Sequence, residues 1–275
     1  MLPGLISWSI LALPFVLSQI SPRLTVFFIL AYLLLWFAKA LGLNVRAVQG
    51  FRTLNKHQKL PWSNMLEELS TGKPGQPDKH IPAWHYENIL RLAEQPTPIK
   101  PNDIVHAVMI AAYNETREVL EPTIKSVLAS DYNPKQVVLI LAYEERGGPY
   151  MAELAHDLIK EYKSNFKHAF AVEHPADLPG EIIGKGGNVT YAGRELEKYV
   201  AREKINPLNV IVTTLDADNR PHKHYLSALS YLYSVTPDPK YVSYQPVPIY
   251  TNNIWDTPAP MRVIATGNSF WNIGL

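Results

Sequence analysis

The chain has no cysteine in its 275 residues. That excludes disulfides and thiolate metal sites, and it fits a reducing compartment. Its formal net charge is only +1, so it lacks the basic surplus that nucleic-acid binding requires. Acidic side chains are missing altogether before Glu67, whereas Arg23, Lys39, Arg46, Arg52, Lys56 and Lys59 all precede it. There is no internal repeat and no low-complexity tract, which argues against solenoid and disordered classes.

What fills the acid-free region is apolar. Leu2 to Ile20 has only Ser7, Ser9, Ser18 and Gln19 as polar interruptions. Leu24 to Leu43 is apolar again, with Lys39 near its end. Each run approaches the ~20 residues a helix needs to cross the hydrocarbon core. Ser21-Pro22-Arg23 supplies a turn between them. The expectation is a transmembrane hairpin over residues 1–44. The first run lacks the basic flank and small-residue cleavage site of a signal peptide, and a second apolar run follows at once. The basic cluster from Arg46 to Lys59 places both ends of the hairpin in the cytoplasm by the positive-inside rule. A multi-pass membrane protein with a cytoplasmic soluble domain is therefore expected.

Residues 45–101 form a juxtamembrane segment that mixes basic residues with Phe51, Trp62, Trp84 and Tyr86. Trp84, Tyr86, Ile89, Leu90 and Leu92 line part of one helix in this reading. Such a segment either lies at the headgroup level or packs as a linker on the soluble domain. Lys73-Pro74-Gly75-Gln76-Pro77 and Pro96-Thr97-Pro98-Ile99-Lys100-Pro101 are turn chemistry. The second of these marks the expected domain boundary, with the soluble domain spanning 102–275.

From Asn102 the pattern alternates strand and helix. Strands are expected at Ile104 to Ala112, Val137 to Ala142, Ala169 to Val172, Val210 to Leu215 and Tyr241 to Tyr244. Helices are expected over Thr116 to Ser130, around Met151 to Tyr162, around Val189 to Val200, and from His222 to Ser234. Met151, Leu154, Ala155, Leu158, Ile159 and Tyr162 follow the helical period most clearly. Strands separated by helices predict an α/β fold with a mostly parallel, doubly wound sheet. Ligands of such sheets bind at the carboxyl ends of the strands.

That rule brings four segments to one rim. Ala111-Ala112-Tyr113-Asn114-Glu115 follows the first strand. Tyr143-Glu144-Glu145-Arg146-Gly147-Gly148 follows the second. Gly184-Lys185-Gly186-Gly187-Asn188 opens the helix before the fourth strand, which ends in Asp216-Ala217-Asp218. On an extended backbone, residues two apart point the same way. Two carboxylates held together repel unless a cation sits between them, and hard divalent cations favour carboxylate oxygens. A glycine-flanked lysine at a helix start suits a phosphate. A tyrosine stacks on a base, and a carboxylate or amide bonds its polar edge or the ribose. Singly, each piece reads more readily as a helix cap, a solvated turn or a loop break. Together they point to a nucleotide-diphosphate site.

The stretches VMIAAYNE, AYEERGG, GKGGNVTYA and VIVTTLDADNRP resemble the family 2 glycosyltransferases. Within them they look most like the membrane-anchored enzymes related to cellulose and hyaluronan synthases. The resemblance runs from about Val105 to the end. It implies a GT-A fold and an inverting transfer of a sugar from a nucleotide-diphosphate donor, expected to be UDP-linked, to a saccharide or lipid acceptor. It implies that Ala112, Tyr113 and Glu115 lie at the nucleotide, and that Glu144 or Glu145 replaces the family's base-binding aspartate. Lys185, Gly187 and Asn188 would lie near the nucleotide and diphosphate. Asp216 and Asp218 would hold Mg²⁺ or Mn²⁺, with Asp218 the direct ligand.

The family's downstream Glu-Asp, whose aspartate is the general base, and its Gln-x-x-Arg-Trp motif do not occur after Asp218. The expectation is an enzyme whose acceptor half is truncated, so that no general base is assigned. The alternative is a catalytically silent, membrane-tethered nucleotide-sugar-binding or scaffold protein. A nucleotidyltransferase would want a glycine- and arginine-rich loop after the first strand, and Ala112-Tyr113-Asn114-Glu115 is not one.

Overall fold

A computed structural model describes residues 2–76, 78–97, 99–181, 184–251 and 254–274. Pro77, Pro98 and Leu275, which figure in the turns and chain end discussed above, lie outside the described residues. The chain divides into two compact units, one of Leu60–Tyr244 and one of Met1–Lys59 with Gln245–Leu275.

Helices α1 (Leu2–Ile20) and α2 (Pro22–His57) carry the two apolar runs. Ser21 between them is extended, and Pro22 enters at the first helical position, where a missing N–H costs nothing. Inside α1 the polar interruptions are absorbed locally. The Ser7 hydroxyl donates to the Pro3 carbonyl and the Ser18 hydroxyl to that of Phe15. Both helices are long and apolar enough to cross a membrane. Their large side chains are exposed, Trp8 at 74% and Phe15 at 76%, an apolar surface that water disfavours. α2 does not stop at Leu43. At 1.5 Å per residue its length is roughly 54 Å, well beyond the ~30 Å of a hydrocarbon core. The basic residues from Arg46 to Lys56 therefore continue the same helix.

The unit Leu60–Tyr244 is built on four parallel strands: β1 (Val105–Ala112), β2 (Val137–Glu144), β3 (His168–His174) and β4 (Val210–Asp216), ordered β3-β2-β1-β4. Before the sheet come α3 (Trp62–Thr71) and α4 (Ala83–Glu94). Between and after the strands come α5 (Arg117–Leu128), α6 (Gly148–Tyr162), α7 (Lys185–Arg202) and α8 (Tyr225–Val235). Every residue of β2 is buried, as expected of a strand covered on both faces. One face of β1 and β2 (Val108, Ile110, Leu139, Leu141) packs on α5 and α6. The alternate residues (Ala107, Met109, Val138, Ile140) pack on α7 through Ala192, Leu196, Tyr199 and Val200. This is the strand period of two realised as two cores.

α3 and α4 belong to this unit. Trp62, Met65, Leu66, Leu69 and Ile89 join the main core. Of the two readings of residues 45–101, packing on the soluble domain describes these helices. Leu90, placed with Ile89 on one apolar face by sequence, is 67% exposed. His85 is fully buried at the centre of this packing. Its Nδ1 is 2.9 Å from the Tyr231 hydroxyl of α8, and its Nε2 is 3.0 Å from Glu68 of α3.

One expectation is corrected. Tyr241 to Tyr244 is not a strand. Pro239–Tyr241 is a 3₁₀ turn, and residues 242–251 have no regular structure. Pro246 and Pro248 deny the segment two of the N–H donors a ladder needs. Among the described residues β4 is accordingly an edge strand, with Val212 half exposed. α9 (Ala259–Gly274) packs on α2 in the unit of the apolar helices. A Cβ on Gly50 would lie 2.0 Å from the Ile273 carbonyl oxygen, so only glycine allows that approach.

Candidate functional site

The parallel register decides which residues meet at the carboxyl rim. Ala112 lies opposite Tyr143, Ala111 opposite Asp216, and Glu144 opposite His174. A cavity of about 370 Å³ opens there, within the size range of small-molecule sites. It is lined by Ala111, Ala112, Tyr113, Glu115, Val119, Glu144, Lys185, Asn188 and Asp216–Asp218. Three segments far apart in sequence thus join the loop after β1 around one space.

The loop after β1 is shaped by its own acid. Glu115 Oε2 accepts from the backbone N–H of Tyr113 at 2.6 Å and of Asn114 at 3.2 Å. That turn leaves the Tyr113 ring 45% exposed toward the cavity. The Arg146 guanidinium lies over the ring, 5.5 Å from its centroid. Gly147 makes this possible. A Cβ there would sit 1.9 Å from the Tyr113 carbonyl oxygen.

The two glutamates after β2 part company. Glu144 is buried, lines the cavity and is ion-paired with Arg146. Glu145 instead accepts from the backbone N–H of Ala176 at 2.7 Å and does not line the cavity. It ties the loop after β3 to the end of β2. His174, which sequence reasoning gave no role, ends β3 beside Glu144. Its Nδ1 is 3.8 Å from Glu144 Oε2, and its Nε2 is 2.8 Å from Glu181. The signal that could have found it is its place at a strand end level with Glu144.

Lys185 is the first residue of α7, entered from Gly184 at φ 150°, a conformation open to glycine alone. The helix N-terminus adds its unpaired N–H groups and partial positive charge to the ammonium. Lys185 is ion-paired with Asp216, and both side chains are about half exposed. Such pairs are worth about 0–1 kcal/mol, so a diphosphate can take the ammonium at little cost. Gly187 does not line the cavity and packs against His174 and Glu181. Asn188 is buried and donates its amide N–H groups to the Ala142 carbonyl at 3.0 Å and the Ala112 carbonyl at 3.3 Å. Two carbonyl partners fix which way the amide faces. Its Oδ1 is left buried without a hydrogen-bond partner among the described residues.

β4 ends at Asp216. Ala217 and Asp218 form a turn, closed by the Asn219 N–H donating to the Asp216 carbonyl at 3.1 Å. The two aspartates are therefore brought together by a turn rather than by an extended strand, and both line the cavity. Thr123 of α5 pins this turn by donating to the Ala217 carbonyl at 2.6 Å. Among the described residues no group of three or more His, Cys, Asp or Glu is placed to share a metal ion. A two-carboxylate set fits Mg²⁺ or Mn²⁺ where phosphate oxygens and water supply the remaining ligands. Comparison with protein-family models and with curated proteins finds no match.

Proposed function

We propose that this protein is a membrane-associated, inverting glycosyltransferase of GT-A type whose rim cavity binds a nucleotide-diphosphate sugar. The observation that carries the reading is the cavity lining itself. Tyr113 and Glu144 lie toward the ends of β1 and β2, and Lys185 at a helix N-terminus is beside the Asp216–Asp218 turn. Apolar, aromatic and carboxylate groups suit a nucleoside, and an ammonium with paired carboxylates suits a metal diphosphate. α1 and α2 would anchor the chain, and the basic continuation of α2 would hold the catalytic unit on the cytoplasmic side.

In this reading Tyr113 stacks on the base and Glu144 receives its N–H edge. Asp216 and Asp218 would hold Mg²⁺ or Mn²⁺, which neutralises charge on a leaving diphosphate when bound. Lys185 leaves Asp216 and donates to the phosphate oxygens, stabilising the same charge. A saccharide or lipid hydroxyl is the acceptor. Its proton needs a carboxylate base, and Asp238 and Asp256 are the only acidic residues after Asp218.

Calorimetric titration with nucleoside diphosphate tests the reading. Metal-dependent binding by the native chain, lost in Asp218→Ala, is the expected result. Equal affinity with and without Mn²⁺ would contradict it. Binding without any sugar release from nucleotide sugars would favour a membrane-tethered donor-binding protein instead.

A further inference from the structure

We infer that the nucleoside end of this cavity is built for guanine. The inference rests on the nucleotide-diphosphate reading above and departs from the uridine that the sequence resemblance implies.

Glu144 is buried, yet its carboxylate is satisfied in an informative way. Arg146 donates to Oε2 from Nε at 3.1 Å and from one terminal amine as well. The same guanidinium lies over the Tyr113 ring. A planar N–C–N unit carrying adjacent N–H donors thus covers the tyrosine and bonds the buried acid. Guanine contains that same unit. Its N1–H and exocyclic N2–H₂ lie side by side on one edge of a flat ring, giving a donor–donor edge.

Asn188 has spent both amide N–H groups on the Ala112 and Ala142 carbonyls, so it offers a base no donor. That leaves the Glu144 carboxylate as the acceptor at the end of β2, and a buried carboxylate favours a ligand edge made of donors, because an acceptor facing another acceptor is left unsatisfied. Uracil offers one N–H flanked by two carbonyl oxygens. Adenine and cytosine each offer one amine beside a ring-nitrogen acceptor. Guanine alone among the four offers two adjacent donors.

Arg146 and a base cannot share the Tyr113 face. Two layers of van der Waals contact need roughly 7–8 Å between the outer planes, and the guanidinium carbon is 5.5 Å from the ring centroid. The base therefore replaces Arg146 over Tyr113 and on Glu144. The released guanidinium remains within the flexible reach of its stem and stays cationic for the diphosphate.

The test is a calorimetric comparison of GDP, UDP, ADP and CDP, each with Mn²⁺, on the native chain and on Glu144→Gln. GDP is expected to bind ten- to a hundredfold tighter than UDP to the native chain, the discrimination typical of a two-donor base contact. Glu144→Gln is expected to remove most of that preference, weakening GDP by ten- to a hundredfold and UDP by less. UDP binding as tightly as GDP to the native chain overturns the guanine assignment and leaves the diphosphate reading standing. A GDP preference unchanged in Glu144→Gln overturns the role of Glu144. Binding of no nucleoside diphosphate at all overturns both the inference and the reading beneath it.

Discussion

Lys185, the first residue of α7, is ion-paired with Asp216, the last residue of β4. The pair joins the two chemical halves of the proposed diphosphate site, a cation at a helix start and a carboxylate at a strand end. Both side chains keep about half their surface in water, so the pair contributes little to stability and can be exchanged for a ligand. Lys185→Ala should weaken nucleoside diphosphate binding by about tenfold or more, the value of one charge-assisted hydrogen bond. The same change should leave the unfolding midpoint within about 1 kcal/mol of stability. Titration calorimetry and urea unfolding on one preparation check both halves.

Two glycines near the rim should respond in opposite ways. At Gly147 a Cβ would meet the Tyr113 carbonyl at 1.9 Å. Backbone must move to admit it, so Gly147→Ala should cost on the order of 2 kcal/mol and displace Tyr113 from the cavity. At Gly186, inside α7, a Cβ would meet nothing within 4 Å. Gly186→Ala should stabilise by at most about 0.5 kcal/mol, because Gly186 is the second residue of α7 and the full propensity difference of ~1 kcal/mol belongs to a helix interior. Thermal unfolding of the two variants side by side decides.

His106 of β1 gives the fold an acid sensitivity. It is completely buried, and burial pushes its pKa down from 6.5 to about 3. The folded form keeps the imidazole neutral, while the unfolded form takes up its proton near pH 6.5. The unfolded state therefore binds more protons below that value, and stability falls as pH drops from about 6.5 toward about 3. The slope from this group is about 1.4 kcal/mol per pH unit at most. His106→Gln keeps a partner for the Ser230 hydroxyl, 2.7 Å from Nε2. It should flatten the acid limb of a stability–pH profile.

The Glu68–His85–Tyr231 chain holds α3, α4 and α8 together in the core. Tyr231→Phe would leave His85 Nδ1 without its partner at 2.9 Å in a fully buried place. The expected cost is about 1–3 kcal/mol, the penalty for one unsatisfied buried group, read as a lower urea midpoint with an unchanged slope.

Much of this was legible in the sequence. Strong apolar runs and helical periods placed β1, β2, β4, α6 and both apolar helices, because burial on both faces or on one stripe leaves an unmistakable pattern. The strand-end rule, a glycine-flanked lysine at a helix start and the family resemblance together named Ala112, Tyr113, Glu115, Glu144, Lys185, Asn188, Asp216 and Asp218, which line the cavity, and also Glu145 and Gly187, which do not. What escaped was decided by tertiary context. Tyr241 to Tyr244 alternates like a strand, but no ladder forms there. The continuation of α2 to His57 was hidden because a helix leaving an apolar stretch changes composition without changing conformation. Nothing in two adjacent glutamates says that Glu144 turns inward and Glu145 outward to Ala176. That choice is made where β2 ends at Glu144 and a 3₁₀ turn begins at Glu145. Arg146 lay in the AYEERGG stretch without a role of its own and His174 in no motif; the register with β3 and the close approach at Gly147 bring them beside Glu144 and Tyr113.

The most direct test of the central claim is electron paramagnetic resonance of Mn²⁺ titrated with the native chain in the presence of GDP. The account predicts that the free-ion signal falls further with protein and GDP together than with GDP alone, and that Asp218→Ala abolishes the difference. An identical loss of signal in Asp218→Ala would contradict a metal-diphosphate site at the Asp216–Asp218 turn.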